Sequence, residues 1–544
     1  MSLLFRRLTL PRAAALLAVV VTAACSGGAA PQATTTSIAT GSPTPGAATP
    51  VSPGPEILPS PAATLDLADA DPLLTISLAE AGDHLSGVSS LATGDFNVDG
   101  VTDLVIGTPF ADGPDNGRED AGEAFVVFGR KGWSGKIDLA NGGEAALHIL
   151  GARAGDTLGF SVAGGDLNGD GVDDIIVGVP GSNGRDNERT DLGEAYVIFG
   201  RKDLGGTVDS LSLQQDFTLS AAEGFARLGT SFAVADVNGD EIGDLIAGAP
   251  FAGREPGTPP GGPRTTVGEV YVVFGAADLG GTVRVTLDQQ DLTLTGSQKQ
   301  DAFGQAVAAA DVNGDGRLDI IVGARGVDGP DGERLDAGAG FIFFGRAAMP
   351  DKLSVEDADL TVLGTDRQDG LGERAAAGDL NGDGIADIVF TARTGDGLGN
   401  GRSNSGEVYI ILGGPSLTGV RDLSTASVDT VIYGPVPVGL MGSAVAIAEL
   451  DEEGLEDLAI GAALASASGR SSNGAVYITY GGDLPSRLDL ATAGDLFLYG
   501  AGDSDAFGSG LAVGDINGDG RPELIVAAPG PDGAVGKVYA LELP

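Results

Sequence analysis

Asp95-Phe96-Asn97-Val98-Asp99-Gly100-Val101-Thr102-Asp103 is the stretch on which the fold turns, because the chain writes it seven times. The copies begin at Asp95, Asp166, Asp236, Asp311, Asp379, Glu449 and Asp515, at intervals of 71, 70, 75, 68, 70 and 66 residues. A near-constant period of this size marks an array of supersecondary units. The 544 residues, which by length alone suggest three or four domains, therefore read as one repeat structure.

Other residues keep fixed offsets from the acidic loop. Seven positions before its first acid stand Gly159, Gly229, Gly304, Gly372, Gly442 and Gly508, with Val88 in the first copy. After it come turns such as Gly107-Thr108-Pro109 and Gly178-Val179-Pro180. A later Gly (Gly122, Gly193, Gly268, Gly338, Gly406, Gly474, Gly536) precedes an aromatic by three residues: Phe125, Tyr196, Tyr271, Phe341, Tyr409, Tyr477 or Tyr539. Short β-branched runs such as Asp174-Ile-Ile-Val177, bounded by Gly, Pro and Asp, read as strands, with no helical period between them. Each copy supplies four strands, and seven four-stranded sheets predict an all-β, seven-bladed propeller over residues 72–544. The seventh copy ends at Pro544 after its third strand, while Leu73–Leu78 resembles a fourth strand. Pairing of residues 73–78 with the last blade is expected to close the ring and remove an open edge.

Composition narrows the function. There are 76 acidic residues against 31 basic ones, a net charge of -45, with two His and one Cys. That balance argues against nucleic acid as a partner, whose phosphates need clustered Lys and Arg. One Cys excludes a disulfide scaffold and a cysteine zinc site.

In the acidic loop, oxygen side chains at positions 1, 3, 5 and 9 surround a tight turn that Gly at position 6 permits, and a hard, all-oxygen donor set selects calcium. Position 12, where an EF-hand carries a bidentate Glu, is here Ile106, Val177, Ala247, Val322 or Phe390, so the acid at position 9 must close the coordination. A metal-free Asx-turn hairpin is the other reading of the same residues.

The recurring loop, glycines and aromatic together resemble the FG-GAP repeats of the integrin α-subunit propeller and related bacterial proteins, over all of residues 72–544. The resemblance implies calcium between the first and second strands of a blade, on the face opposite the ligand-binding loops, about five to seven ions in all. By position, it implies as ligands Asp95, Asn97, Asp99 and Asp103; Asp166, Asn168, Asp170 and Asp174; Asp236, Asn238, Asp240 and Asp244; Asp311, Asn313, Asp315 and Asp319; Asp379, Asn381, Asp383 and Asp387; and Asp515, Asn517, Asp519 and Glu523. Backbone carbonyls are expected at position 7: Val101, Val172, Ile242, Arg317, Ile385 and Arg521. Glu241 stands in the third loop where Gly is expected, and the sixth loop (Glu449, Asp451, Glu453, Asp457) keeps its charge but changes side-chain lengths.

The connections between second and third strands should lie opposite the metal loops, where long irregular loops suit a protein or other surface ligand. Six of them carry Arg four residues before the third-strand Gly: Arg118, Arg189, Arg264, Arg334, Arg402 and Arg470; the seventh has Asp532. Two readings compete: a ring of guanidinium groups for a partner's anions, or pairs with nearby acids such as Asp120, Asp191 or Asp336. Catalysis has little support. His148 is expected to face solvent from an outer strand and His84 lies in a loop; only carboxylates in the central funnel keep a hydrolase open as an alternative.

Residues 1–24 read as a signal peptide: Arg6, Arg7 and Arg12 precede an apolar stretch too short to span a bilayer. The segment resembles a bacterial lipoprotein signal, which implies lipidation of Cys25; plain secretion is the alternative. Residues 25–71, rich in Pro, Thr, Ser and Ala, are expected to be a disordered stalk. Stalk and propeller account for the sequence without an added enzymatic domain. The expected protein is a monomeric, non-enzymatic calcium-binding propeller, membrane-anchored only through lipid on the extracytoplasmic or cell-surface side. Its expected role is adhesion or protein binding, with a purely structural surface role as a further alternative.

Overall fold

A computed structural model describes residues 61–78, 90–113, 116–140, 145–184, 187, 189–221, 224–253, 266–284, 289–330, 332–346, 348–426, 428–531 and 534–544. The expected signal peptide, Cys25 and most of the expected stalk lie outside these residues. Pro59–Pro544 forms one compact unit.

Seven sheets form a β-propeller, and among the described residues there is no α-helix. The blades are numbered by their acidic loops. Blade 1 runs outward from Leu91–Gly94 through Asp103–Thr108 and Glu123–Val127 to Leu147–Leu150, each strand antiparallel to the last. Second strands are buried along their whole length: Asp174–Val179 and Asp244–Ala249 expose nothing. Both faces of such a strand meet a neighbouring blade, which is why these runs are continuously apolar rather than alternating.

The core is correspondingly divided among the spaces between blades. Ile175, Val177 and Tyr196 of blade 2 pack with Val105 and Val126 of blade 1, whereas Ile176 and Val197 pack with Leu245, Ala247 and Tyr271 of blade 3. The space between blades 7 and 1 is filled in the same way by Ile525, Val538, Ile106 and Phe125, so no edge of the ring is left open. Glycine is demanded where adjacent blades touch: a Cβ on Gly107 would lie 2.1 Å from the carbonyl oxygen of Gly159.

The expected closure is present. Leu74–Ser77 pairs antiparallel with Lys537–Leu541, Thr75 opposite Tyr539. Each blade also carries a fifth strand that the four-strand expectation lacked. Gly206–Asp209, from the connection between the third and fourth strands of repeat 2, runs parallel to the outer strand of blade 1. Each of repeats 1 to 6 thus lends a strand to the blade before it, repeat 1 to blade 7 across the seam. The N-terminal segment does so too: Ala63–Asp66 pairs with Leu496–Tyr499 of blade 6. The stalk boundary expected at residue 71 is therefore corrected, because residues 63–66 form the fifth strand of blade 6.

Candidate metal loops and the opposite face

Each acidic loop joins the first and second strands of its blade, and its position-9 acid opens the second strand, as Asp103 opens Asp103–Thr108. The position-1 acid organises the turn. Asp166 accepts from Gly169 (2.7 Å), Asp170 and Gly171 (2.8 Å), and Asp311 and Asp379 do the same in loops 4 and 5. The position-5 acid accepts from the amide of position 7, as Asp170 does from Val172.

The position-9 acid is fully buried and ties the loop to the sheet. Asp174 accepts from the amide of Leu167 (2.9 Å) and from that of Gly200 (2.9 Å), just beyond the third strand. Gly129, Gly275, Gly345, Gly413 and Gly481 donate likewise to Asp103, Asp244, Asp319, Asp387 and Asp457. These glycines went unnoticed as a class in the sequence, although Phe128-Gly129 and Phe199-Gly200 signal them. A Cβ on Gly129 would meet the carbonyl of Thr102 at 2.2 Å, so only Gly brings this amide close enough. The following amide crosses to the neighbouring loop: Arg201 donates to the carbonyl of Phe96, and Gly482 to that of Leu380. The acidic loops are therefore joints between blades.

Burial pushes the position-9 carboxyls up, to about 7 for Asp103, Asp174 and Glu523 and to about 6 for Asp244, Asp319 and Asp387, with the other loop acids adding to the rise. A bound cation reverses this pressure. The loops fit calcium unequally. In loops 1 and 7 the Oδ1 atoms of Asn97 and Asn517 are buried with no hydrogen-bond partner, at the position expected to supply a ligand. In loop 7, carboxylate oxygens of Asp515, Asp519 and Glu523 also lie within 4.8 Å of one another. In loops 2, 4 and 5 the equivalent oxygens of Asn168, Asn313 and Asn381 accept from the position-5 amide, an Asx turn that holds the same backbone. The donor set throughout is oxygen, which fits calcium.

Positive φ occurs at position 6 and at position 4. Glu241 takes the expected glycine conformation at φ 71°, and Val98 stands at φ 64° where most copies have Gly. The sixth loop keeps the arrangement: Glu449 accepts from Gly454, and Asp457 from Leu450 and Gly481.

On the opposite face, the arginines are engaged. Arg118 makes a two-pronged ion pair with Asp209 (3.0 and 2.9 Å) and donates to the carbonyl of Gly151. Arg334 pairs with Asp422, Arg402 with Asp489 and Arg470 with Asp66. Each of these Asp residues ends the strand lent by the following repeat, or by the N-terminal segment for Arg470. This corrects the ring of partner-binding guanidinium groups at Arg118, Arg334, Arg402 and Arg470, and it also corrects the expected acids, since the partners come from the next repeat. Arg189 lies at blade 2, whose lent strand ends in Arg284, as that of blade 3 ends in Ser354, and Arg264 lies outside the described residues. His148 does not face solvent freely: it stacks on Phe125 at 4.5 Å and bonds Glu123 at 2.8 Å. His84 lies outside the described residues.

The FG-GAP repeat family matches residues 87–127, 158–198, 228–273, 303–343, 371–411 and 507–541. The sixth repeat, with Glu449 opening its loop, is not among the matched segments. Human phosphatidylinositol-glycan-specific phospholipase D is 29% identical over 235 residues, 43% of this chain and 26% of that protein. Caenorhabditis elegans integrin alpha pat-2 is 30% identical over 246 residues, 44% and 18%, and Xenopus laevis integrin alpha-5 is 31% identical over 218 residues, 39% and 19%. Among solved structures, BBS1N in complex with ARL6DN aligns over 86% of this chain and 95% of that one, at a TM-score of 0.43 and 11% identity. The chain spans about a quarter or less of the length of these curated relatives. Six segments that match the FG-GAP repeat lie on a ring of seven blades, and in this the chain is similar to the integrin α-subunits.

Proposed function

We propose that the chain is a calcium-binding, extracytoplasmic propeller that presents one face to a protein or other surface ligand, as an adhesion or binding platform. The division of the ring into two unlike faces carries the reading. One face holds acidic loops bolted to the sheets and to each other; the other holds the long, irregular connections between second and third strands. Rigid scaffolds with variable loops at one end are built for recognition. Likeness to integrin α-subunits supports protein binding, and the buried, unpartnered oxygens of Asn97 and Asn517 support calcium.

Cys25 is proposed as a lipidated first residue, with the segment after it as a tether, and the molecule as a monomer. The role is non-enzymatic; the phospholipase name belongs to relatives matched over about a quarter of their length. The purified chain, immobilised with and without calcium, is expected to bind a cell-surface or matrix ligand saturably only with calcium. Saturable binding that ignores calcium overturns the role given to the metal, and turnover of an ester or glycoside in a hydrolase panel overturns the non-enzymatic reading.

A further inference from the structure

Three arginines and one glutamate converge where blades 4, 5 and 6 meet, at the ends of strands on the face opposite the acidic loops. Arg325 directly follows the second strand of blade 4, Ile320 to Ala324 being buried before it, and Arg393 directly follows that of blade 5. Both occupy the position that is Pro109, Pro180, Pro250 and Pro529 in four other repeats. Glu373 and Arg374 precede the innermost strand of blade 5, Ala375–Gly378, where other repeats have Phe160-Ser161 or Thr230-Ser231. Two adjacent repeats have thus departed from the pattern together, and each departure adds charge.

Glu373 is shared by two guanidinium groups: Arg393 Nη2 stands 3.1 Å from one carboxylate oxygen and Arg325 Nη1 3.5 Å from the other. Arg374 is 8% exposed and donates only to backbone, through Nε to the carbonyl of Ser443 (3.1 Å) and through Nη1 to that of Glu373 (2.8 Å). Three positive charges against one negative leave a surplus of two in a chain whose net charge is -45. Asp336 is near enough to feel Arg325, but makes no ion pair with it at contact distance among the described residues. Nε of Arg393 is buried with no hydrogen-bond partner. Unmatched buried charge and an unused donor are both unfavourable unless an anion meets them. Burial and the neighbouring arginines push Arg374 down to about 10, with Glu373 opposing them, which leaves it charged at neutral pH. The Arg325 side chain is 41% exposed, which gives solvent a way in.

We propose that Arg325, Arg374 and Arg393 form a site for a small oxyanion, a carboxylate or a tetrahedral oxyanion group, whether free or borne by a partner. Guanidinium forks match both shapes with paired, charge-assisted hydrogen bonds. The site stands on this cluster and not on the adhesion reading: oxyanion binding without any surface ligand would sustain it, and surface binding without oxyanion binding would not.

The test is calorimetric titration of the calcium-saturated full chain with sodium succinate and with sodium sulfate at fixed ionic strength. One saturable site per chain is expected. R325Q and R393Q should each weaken it about tenfold, the loss of one charge-assisted contact. R346Q, on a pair with Asp359 at another blade edge, should leave it unchanged. Preference for succinate assigns the carboxylate class, and preference for sulfate the tetrahedral class. Arg374 is left intact because it is buried. Absence of saturable binding to the wild type, or R325Q and R393Q chains that fold with wild-type melting and bind as the wild type does, overturns the proposal.

Discussion

Val98 and Glu241 show what a residue contributes when its backbone is dictated by the turn around it. Both hold left-handed backbone angles that most other copies give to Gly, and Val98 is β-branched. Val98→Gly and Glu241→Gly should each stabilise the protein, by about 0.5–1 kcal/mol after allowing for the freer unfolded chain. Urea melts of the single variants read this directly, and a loss of stability in both refutes backbone strain at these sites. Asp156 and Asp369 belong to a different class: they are buried beside the loops between blades, and burial, with Glu194 or Glu407 adding to it, pushes each to about 7. A raised carboxyl pKa favours the protonated form in the folded state, so this contribution is fully present below about pH 4 and is lost as pH rises through 7. Asp156→Asn with Asp369→Asn, measured in saturating calcium, should flatten the fall in melting temperature between pH 5 and 8 by a few degrees. An unchanged slope removes these two acids from the account. Ligand-position oxygens were legible as residues, because position and chemistry repeat together. The partners of Arg118 and Arg334 were not, because Asp209 and Asp422 lie 91 and 88 positions away in the next repeat.

At the scale of the strand, the lent fifth strand is the feature that joins repeat to repeat. In blades 1, 4, 5 and 6 its terminal Asp is locked by Arg118, Arg334, Arg402 and Arg470 respectively, and the Arg118 hydrogen bonds hold the Asp209 carboxyl below its ordinary range against the opposing effect of burial. The segment Ala63–Asp66 and Leu74–Ser77 repeats this arrangement at the seam: Leu74 follows Asp66 by eight positions, as Phe217 follows Asp209. A chain beginning at residue 72 loses the lent strand of blade 6 and leaves Arg470 without Asp66. It should melt well below a chain beginning at residue 61, and by more than Arg470→Ala alone in the longer chain, because backbone pairing is lost as well as the ion pair. Equal melting of the two chains refutes a structural role for residues 61–71. The fourth-strand partner could be read from sequence because Leu73–Leu78 matches other fourth strands in pattern. The fifth strand escaped notice because Gly206–Asp209 and Gly419–Asp422 are short and largely exposed, with no apolar run to announce them.

Across the whole molecule, stability resides in seven cores between blades and in the acidic loops that link neighbouring blades on one face. Because hydrogen bonds join loops 1 and 2, 2 and 3, 4 and 5, 5 and 6, and 7 and 1, metal at one of these loops should stiffen two blades. Removing calcium with a chelator should lower the melting temperature by about 10 °C or more, since several sites are linked to one folded state, and elemental analysis of the dialysed protein should find several calcium ions per chain. A melting temperature indifferent to chelator overturns calcium as a structural ion. The sequence by itself determined the number of blades, the strand order, the closing strand and the position of every acidic loop. Those follow from local spacing, and a repeat states its local spacing seven times. Tertiary structure alone decided which repeat lends a strand to which, where the loop-face arginines find their acids, and that Arg325, Arg374 and Arg393 meet. Those contacts join residues of different repeats, and it is the curvature of the closed ring, set by packing between whole blades, that brings them within reach.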